Sequence, residues 1–310
     1  MTETGAWGER RIAEWKVPPI GFGSMLLTLP HPPPGVHEDP VDEKQALRTI
    51  HAALDGGARL IDTAVNYCMA AAEMGRSEKL AAKALDTWSG DSDSVLVVCK
   101  GGNRRTDDFP WVHDGSRENL RWSCETSLRS LGVEAIGLYM LHAPDPKVPL
   151  AESIGALGEL QAEGKVRYLG ASNLGRRQLA EARQMIDVVA VENQLSPWHR
   201  AALPLAHVCA ADGIAFLSWS PLGGQSKAKQ LGETRPVFAE IGAAHGVSPQ
   251  RVALAWALAQ APNIIPIPSA RRPETTLDSL GTIDLRLSDD ELAAIDAATA
   301  DSVEPTPQPH

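Results

Sequence analysis

Short apolar runs alternate along the chain with longer segments in which apolar residues recur at helical spacing. Runs such as VLVVC and AIGLYML are hydrophobic at nearly every position, which is typical of strands buried on both faces of a parallel sheet. Each run is followed by helical sequence, so the pattern predicts eight consecutive strand–helix units. The predicted strands cover residues 20–25, 60–64, 95–100, 135–141, 166–172, 188–194, 215–220 and 263–269.

Eight such units in about 250 residues predict an α/β fold, a closed (β/α)8 TIM barrel rather than an open doubly wound sheet. The open sheet stays an alternative, because strands counted from one sequence are easily miscounted. No shift in composition marks a second domain, so residues 1–310 are predicted to form a single barrel domain. A short N-terminal hairpin precedes the barrel, and an extra C-terminal helix begins with a capping box of Ser288 and Glu291. The proline-rich residues 301–310 are predicted to be a mobile tail.

Composition and charge limit the kind of partner. The 310 residues are 43% hydrophobic, enough for a large core, and 29 basic against 39 acidic residues give a formal net charge of −10. Nucleic acids and anionic membranes require a basic face, so neither is expected as a partner. No apolar run approaches the roughly 18 residues of a membrane span, and the N-terminus has no apolar signal region. Four cysteines without CxxC spacing complete the pattern expected of a soluble cytoplasmic protein.

Polar residues end several predicted strands, and in a parallel barrel these strand ends meet at one mouth. Asp62 ends a short apolar strand, and because a buried unpaired carboxylate is costly, it predicts a cationic partner. Lys100 ends the next strand, and adjacent strands lie about 4.8 Å apart, within reach of an ion pair. Tyr67 follows closely enough to fold over the same mouth, and His142 ends the fourth strand. The alternative is a structural ion pair and a tyrosine used for packing, although the other two tyrosines lie inside predicted strands.

Seven segments in order carry a resemblance to a known family. They read GGARLIDTAVNY, VLVVCKGG, LYMLHAPDP, GKVRYLGASN, VENQ, SWSPLGG and IPIPSARRPE. In this order and spacing they resemble the aldo-keto reductases, and the resemblance extends from about Ile20 to Leu292. The segments around the second and fourth strands are most similar to bacterial single-domain members related to pyridoxal reductase.

The resemblance implies a catalytic tetrad of Asp62, Tyr67, Lys100 and His142. In this interpretation Tyr67 donates a proton to a carbonyl oxygen, and Lys100, held by Asp62, lowers the pKa of the phenol. A neutral His142 polarises the carbonyl group. A lysine cation about 4 Å from a phenol, at an effective dielectric of about 20, is worth roughly 4 kcal/mol or about three pKa units. We therefore expect a phenol pKa near the working range.

No Rossmann module is predicted, because GFGSM departs from the GxGxxG spacing and no suitable acidic residue follows it. The resemblance instead implies a nicotinamide cofactor at the barrel mouth. Ser172, Asn173 and Gln194 match the family's carboxamide ligands. Trp219 matches a ring that stacks on the nicotinamide, and core filling is its alternative role. The remaining predicted cofactor contacts are Ser220, Leu222, Gly223, Ser269, Arg271, Arg272 and Asp278.

NADP(H) is the predicted form of the cofactor. Two frequent phosphate ligands of the family, a lysine and an arginine, are replaced here by Ser269 and Thr275. Arg271 and Arg272 are candidates to replace them, since a guanidinium is well suited to a phosphate. The alternative is that this arginine pair lies on a solvated turn.

The substrate is predicted to be a small carbonyl compound, an aldehyde or a ketone. Candidate pocket residues are Met25, Met69, Phe109 and Trp111, a largely apolar set. Two other functions on the same fold stay open: a nucleotide-binding sensor or regulatory barrel without turnover, and an enzyme acting on a sugar or natural-product intermediate. The sequence predicts no metal site and does not define an oligomeric state, although a monomer is compatible with it.

Overall fold

The computed structural model describes residues 7–29, 39–106 and 111–300. Phe109, a predicted pocket residue, and the predicted tail at 301–310 lie outside these ranges. Within the described residues, eight parallel strands and the helices between them form a (β/α)8 barrel, which confirms the predicted fold class.

A two-stranded antiparallel hairpin closes one end of the barrel, as the sequence predicts. It pairs β1 (Arg10–Ile12) with β2 (Trp15–Val17). Ile12 and Val17 are buried in one apolar cluster with inward-facing residues such as Leu60, which begins a barrel strand. The hairpin therefore lies at the amino ends of the strands, and charged groups at the opposite end have an apolar layer beneath them.

The barrel strands follow one another around the ring in chain order, and all neighbouring pairs are parallel. The strands after the N-terminal hairpin are β3 (Phe22–Gly23), β4 (Leu60–Asp62), β5 (Leu96–Gly101), the antiparallel pair β6 (Asn103–Arg104) and β7 (Val112–His113), β8 (Ile136–Leu141), β9 (Val166–Ser172), β10 (Val188–Gln194), β11 (Ala215–Trp219) and β12 (Ile264–Pro266). The carboxyl ends of the eight parallel strands form a single mouth, where the polar strand-end residues lie together.

The ring closes between the first and last barrel strands by two backbone hydrogen bonds. Gly21 N donates to Pro266 O and Gly23 N donates to Pro268 O, both at 3.0 Å. The prolines return no hydrogen bonds, because proline has no N–H. A side chain on Gly23 would come within 2.9 Å of the backbone oxygen of Ile267, so the close approach of the two strands requires glycine. Closure therefore depends on glycine on one side and on proline carbonyls on the other.

Helices cover the outside of the barrel. In chain order they are α1 (Met25–Thr28), α2 (Glu43–Asp55), α3 (Arg76–Thr87), α4 (Arg117–Leu131), α5 (Leu150–Ala162), α6 (Arg176–Ala182), α7 (Leu203–Ala211), α8 (Gln225–Lys229), α9 (Leu231–Thr234), α10 (Pro236–His245), α11 (Pro249–Gln260), α12 (Pro273–Leu280) and α13 (Asp289–Thr299). Short polar side chains cap several of them, and the predicted capping box of Ser288 with Glu291 is present. Within the three described ranges, every helix is too short or too polar to cross a membrane.

The bounds of two strands differ from the sequence prediction on either side of the closing seam. The predicted first strand runs to Met25, but β3 ends at Gly23 and Met25 begins α1. The predicted last strand reaches Ser269, but β12 ends at Pro266, because alternating prolines interrupt its ladder. The apolar pattern also does not predict the helices α8, α9 and α10 or the hairpin of β6 and β7.

One carboxylic acid is buried between two helices of the outer layer. Glu78 of α3 has no exposed surface, and its Oε1 accepts a hydrogen bond from the Ser127 hydroxyl of α4 at 2.9 Å. Burial is the main reason that the pKa of Glu78 rises to about 7 from the ordinary value of 4.5, and the hydrogen bond offsets this only in part. Glu78 is therefore a neutral acid in the folded protein at mildly acidic pH.

We expect the stability difference between the wild type and Glu78→Gln to depend on pH. Unfolded Glu78 ionises near its ordinary pKa of 4.5, whereas folded Glu78 keeps its proton to about pH 7. The contribution of the glutamic acid is thus complete below pH 4.5 and is lost as pH rises through 7. The unfolding free energy of the wild type should fall relative to that of the glutamine variant by about 3 kcal/mol over this range, measured by denaturant titration. The exposed Glu118→Gln is the control, and a difference independent of pH at position 78 would contradict the expectation.

Candidate functional site

The side chain of Lys100 is fully buried at the barrel mouth and is surrounded by oxygen atoms. Its Nζ donates to Asp62 Oδ1 at 2.5 Å and to the backbone oxygen of Thr63 at 3.1 Å. The hydroxyl of Tyr67 lies 3.4 Å from the same nitrogen. Because β4 and β5 are adjacent parallel strands, the residues at their carboxyl ends meet. Asp62 supplies the carboxylate that a buried ammonium requires.

A second buried carboxyl group, which the sequence analysis did not single out, faces the same cation. Glu192 lies on β10, across the barrel from β4, and its Oε2 is 3.4 Å from Lys100 Nζ. Alternate residues of a strand share a face, so Glu192 points inward with Gln194 and lies one layer deeper. The two-residue spacing within VENQ is the sequence signal that could have identified it.

Burial and mutual attraction together set the protonation of these three groups. Burial alone would lower the pKa of Lys100, but attraction by Asp62, Glu192 and Tyr67 raises it well above its ordinary value. Burial raises the pKa of Glu192 to about 8, and repulsion by Asp62 adds to the shift. Burial also raises the pKa of Asp62, which Lys100 opposes through its charge and hydrogen bond. We therefore assign a cationic lysine, an ionised Asp62 in the shortest contact with it, and a protonated Glu192 at neutral pH.

Tyr67 lies in the loop after β4 and is almost completely buried. The ammonium of Lys100 is 5.2 Å from the centroid of its ring. Burial raises the pKa of Tyr67 well above its ordinary value, and attraction by Lys100 offsets this only in part. The sequence-based expectation of a lowered pKa was therefore wrong, because it omitted desolvation of the phenol and repulsion of a phenolate by Asp62 and Glu192. The phenol keeps its proton throughout the neutral pH range.

His142 follows β8 directly and is neutral. Burial lowers the pKa of His142 well below its ordinary value, and repulsion by Lys100 and His113 adds to this. The rings of His142 and Tyr67 meet edge to face with centroids 5.7 Å apart. Nδ1 of His142 lies 3.1 Å from Asn66 Oδ1, and Asn66 Nδ2 has no hydrogen-bond partner among the described residues. In this orientation Nδ1–H donates to Oδ1; with the amide turned, Nδ2 donates to Nδ1 and the ring proton resides on Nε2.

An aromatic wall stands beside the Tyr67 hydroxyl. The ring centroid of Trp111 lies 6.2 Å from that of Tyr67 and 6.0 Å from that of His142. The two predicted methionines are half-buried, Met25 at the start of α1 and Met69 in the loop after Tyr67. Nowhere in the described part of the chain do three or more His, Cys, Asp or Glu side chains group as metal ligands.

A band of hydrogen bonds crosses the strand ends next to His142. Asn173 Nδ2 donates to the backbone oxygen of His142 at 3.0 Å and to Ser172 Oγ at 3.1 Å. Trp219 Nε1 donates to Asn173 Oδ1 at 3.1 Å, so three predicted cofactor residues are joined. Asn173 has a left-handed φ of +60°, a conformation that asparagine adopts more readily than most other residues. Gln194 Oε1 is buried and accepts no hydrogen bond from the described residues.

A tight turn follows β11 and contains three more predicted cofactor residues. Gly223 N donates to Ser220 O at 2.8 Å, and both residues have left-handed φ values, +72° and +46°. Leu222 is half-buried and packs against the main apolar cluster of the barrel. A side chain on Gly223 would overlap the indole of Trp198, so glycine is required there for space as well as for conformation.

The segment after β12 holds the predicted phosphate ligands. Ser269 bridges to Gly23, and its Oγ accepts a hydrogen bond from Leu26 N at 3.0 Å. Arg271 donates to the backbone oxygen of Asp39 at 2.7 Å, which ties it to the chain before α2. Arg272 is exposed at the N-terminus of α12.

Asp278 lies on α12 but has structural partners on both carboxylate oxygens. Ser248 Oγ donates to Oδ2 at 2.6 Å and Arg251 Nε donates to Oδ1 at 2.9 Å. These bonds join α12 to the start of α11. The predicted cofactor role of Asp278 therefore competes with a role in helix packing.

Comparison with known sequences identifies similar proteins over nearly the whole chain. The sequence profile of the aldo/keto reductase family matches residues 19–300. Pyridoxine 4-dehydrogenase of Escherichia coli is 30% identical over 284 residues, which cover 89% of this chain and 93% of the relative. An aldo-keto reductase of Strobilurus tenacellus is also 30% identical, over 92% of this chain and 90% of the relative.

Comparison with solved structures gives the same architecture. Glycerol dehydrogenase of Gluconobacter oxydans matches with a TM-score of 0.77 and 25% identity, over 97% of this chain and 99% of that one. An aldo-keto reductase of Klebsiella pneumoniae, solved in complex with NADPH, matches with a TM-score of 0.75 and 25% identity, over 98% and 97% of the two chains.

Replacing Gly223 by alanine is expected to destabilise the protein more than replacing Gly213. Both residues have a φ of +72°, so either alanine carries backbone strain, about 1 to 2 kcal/mol. Only at Gly223 does the new methyl group overlap a neighbour, whereas nothing lies within 4 Å at Gly213. Thermal unfolding followed by circular dichroism should show the larger decrease in Tm for Gly223→Ala. Equal decreases would mean that the packing of the turn on Trp198 contributes nothing.

Proposed function

The chain belongs to the aldo/keto reductase family of oxidoreductases, and we propose that it reduces an aldehyde or ketone to an alcohol with NADPH, with Tyr67 as proton donor. The observation that carries this proposal is the buried contact among Lys100, Tyr67 and His142 at the barrel mouth. If Asp62 and Lys100 formed only a structural ion pair, the Tyr67 hydroxyl would not need to lie 3.4 Å from the Lys100 ammonium. Nor would the neutral imidazole of His142 need to pack against the Tyr67 ring.

Tyr67 supplies the proton that carbonyl reduction requires on oxygen. Its raised pKa keeps the phenol protonated at neutral pH, so the proton is available for transfer. A developing alkoxide is a much stronger base than a phenolate, so the proton moves towards it. Lys100 stabilises the phenolate that remains, and in a site cut off from water this attraction is strong. Asp62 keeps the lysine charged and in place.

His142 orients the carbonyl group by donating a hydrogen bond from Nε2. This role requires the proton on Nε2, which Asn66 secures when its Nδ2 donates to Nδ1. The lowered pKa keeps the imidazole neutral, so it adds no second positive charge beside Lys100. Asn66 is therefore a positioning residue that the sequence analysis did not identify.

The residues beside the tetrad fit a nicotinamide cofactor. NADPH, when bound, supplies the hydride for the carbonyl carbon. Ser172, Asn173 and Gln194 present the hydroxyl and amide groups that a carboxamide requires, and the buried Gln194 Oε1 accepts no hydrogen bond within the described chain. The indole of Trp219 is held through its N–H, which leaves a ring face for stacking.

We assign the cofactor phosphates to the turn after β11 and the segment after β12. The left-handed backbone at Ser220 and Gly223 is of the kind that forms anion-binding concavities. Arg272 is exposed, whereas Arg271 is held by Asp39, so Arg272 is the cation that we assign to the 2′-phosphate of NADP(H). The similarity to a reductase solved with NADPH supports this preference.

The substrate class that we propose is an aromatic aldehyde or alcohol, from the side chains at the barrel mouth and from the similarity to one relative. Trp111 and Tyr67 form an aromatic wall that suits a planar ring. The similarity to pyridoxine 4-dehydrogenase supports pyridoxine and its aldehyde as the first compounds to try.

All four cysteines are free and buried, which supports a cytoplasmic location.

Tyr67→Phe tests the proton donor. The wild type is expected to oxidise NADPH, followed at 340 nm, in the presence of members of a panel of aldehydes and ketones that includes pyridoxal. The variant lacks only the hydroxyl, so it should bind NADPH, measured by quenching of tryptophan fluorescence, while turnover falls by about 100-fold or more. Tyr168→Phe, on β9 and outside the tetrad, is the matched control and should keep wild-type turnover.

Each other outcome has a distinct meaning. Equal turnover by the wild type and Tyr67→Phe would remove Tyr67 from the mechanism. Tight NADPH binding by a wild type that reduces no compound of the panel would reject the enzyme and favour the nucleotide-binding sensor.

Arg272→Ala tests the choice of NADP(H). Loss of a guanidinium from a phosphate costs about 1.5 to 3 kcal/mol, so the KM for NADPH should rise by about tenfold or more, with little change for NADH. Arg167→Ala, an exposed arginine on β9, should change neither constant. A wild-type KM lower for NADH than for NADPH would contradict the assignment, as would equal increases for both cofactors.

A further inference from the structure

We propose that Glu192 is a positioning residue of the reaction, a neutral carboxylic acid that adds no charge beside Asp62 and thereby leaves the charge of Lys100 directed at the Tyr67 hydroxyl. The inference rests on the proposed role of Tyr67 as proton donor. It assigns a function to a buried acid that lies outside the tetrad and outside the predicted cofactor contacts.

The contacts of Glu192 favour the protonated form. Its side chain is buried, and Oε2 lies 3.4 Å from Lys100 Nζ without accepting a hydrogen bond from any described residue. The ammonium already makes its short contact with Asp62, at 2.5 Å. Both carboxyl groups therefore face the same ammonium, and a proton on one of them removes the repulsion between two buried carboxylates.

The charge count explains why this proton affects Tyr67. With Glu192 neutral, the cluster holds one cation, Lys100, and one anion, Asp62. When Glu192 ionises, two carboxylates share one ammonium, and the surplus negative charge repels a phenolate at Tyr67. Loss of the Glu192 proton therefore makes Tyr67 a weaker acid.

The ionisable groups facing Glu192 are these same residues. Asp62 approaches from β4, Lys100 from β5, and Tyr67 from the loop after β4. On the strands that pair with β10, its partners are Ser172 and Leu217, neither of which titrates in this range. Burial raises the pKa of Glu192 to about 8, so the change falls within the pH range of an activity assay.

The backbone of Glu192 joins the cation cluster to the predicted carboxamide site. Its carbonyl oxygen accepts hydrogen bonds from Ser172 Oγ at 2.7 Å and from Asn173 N at 2.9 Å. A change of the side chain leaves these backbone bonds in place. NADPH binding by a Glu192 variant therefore reports whether the strand end is intact, separately from its chemistry.

The test is the pH profile of Glu192→Gln, which keeps the shape of the side chain and is neutral at every pH. We expect kcat/KM of the wild type, for an aldehyde from the panel, to decline through about pH 8. The glutamine variant should lack this decline, so its activity relative to the wild type should rise by about tenfold between pH 6.5 and 9.5. Glu192→Met is the second variant if the first does not fold, and it should lack the decline as well.

Glu78→Gln is the matched control, because Glu78 is also a fully buried carboxylic acid with a raised pKa but contacts none of the tetrad side chains through a hydrogen bond. It should keep the decline near pH 8. A profile of Glu192→Gln parallel to that of the wild type would overturn the proposal. So would a folded variant that binds NADPH normally and is inactive at every pH, since the carboxylate itself would then be needed. Failure of the proposed function is distinguishable, because the wild type would then show no turnover at all.

Discussion

A lysine cation held in an apolar barrel is the interaction on which the site depends. An ammonium taken out of water costs several kcal/mol unless oxygen atoms replace its hydration. Here the hairpin residues and the inward-facing strand residues form an apolar layer below, so these oxygen atoms must come from the barrel mouth. Asp62, Thr63, Tyr67 and Glu192 supply them. Each of these groups is therefore placed first by the need to hold Lys100, and its chemistry follows from that placement.

The same desolvation acts in two directions at the tyrosine. It makes the phenolate expensive, which raises the pKa of Tyr67, and it strengthens the attraction of Lys100 for any negative charge that forms there. An acid of this kind loses its proton only to a base formed beside it. His142 is neutral and Glu192 is protonated, so neither adds a charge to the ion pair of Asp62 and Lys100.

The sequence was sufficient to predict a contact where the two residues end strands that are adjacent in the barrel. Asp62 and Lys100 end adjacent strands, so their contact follows from the (β/α)8 topology. Glu192 was missed because its partner, Lys100, lies across the ring. Glu192 also precedes the strand end by two residues, and the sequence of β10 alone does not explain an acid at that position. The direction of the Tyr67 pKa shift was also beyond the sequence, since desolvation depends on side chains packed around it from distant segments. The hydrogen bonds of Asp278 to Ser248 and Arg251 likewise depend on how two helices meet.

The seam between β3 and β12 has a consequence for how the protein is made. It joins glycines near the start of the chain to prolines near its end, through hydrogen bonds donated from one side only. During synthesis the ring stays open until the last barrel strand has left the ribosome, and contacts of such long range are slow to form. Asp62, Lys100 and Glu192 lie on β4, β5 and β10, so all three are synthesised before the strand that closes the ring around them.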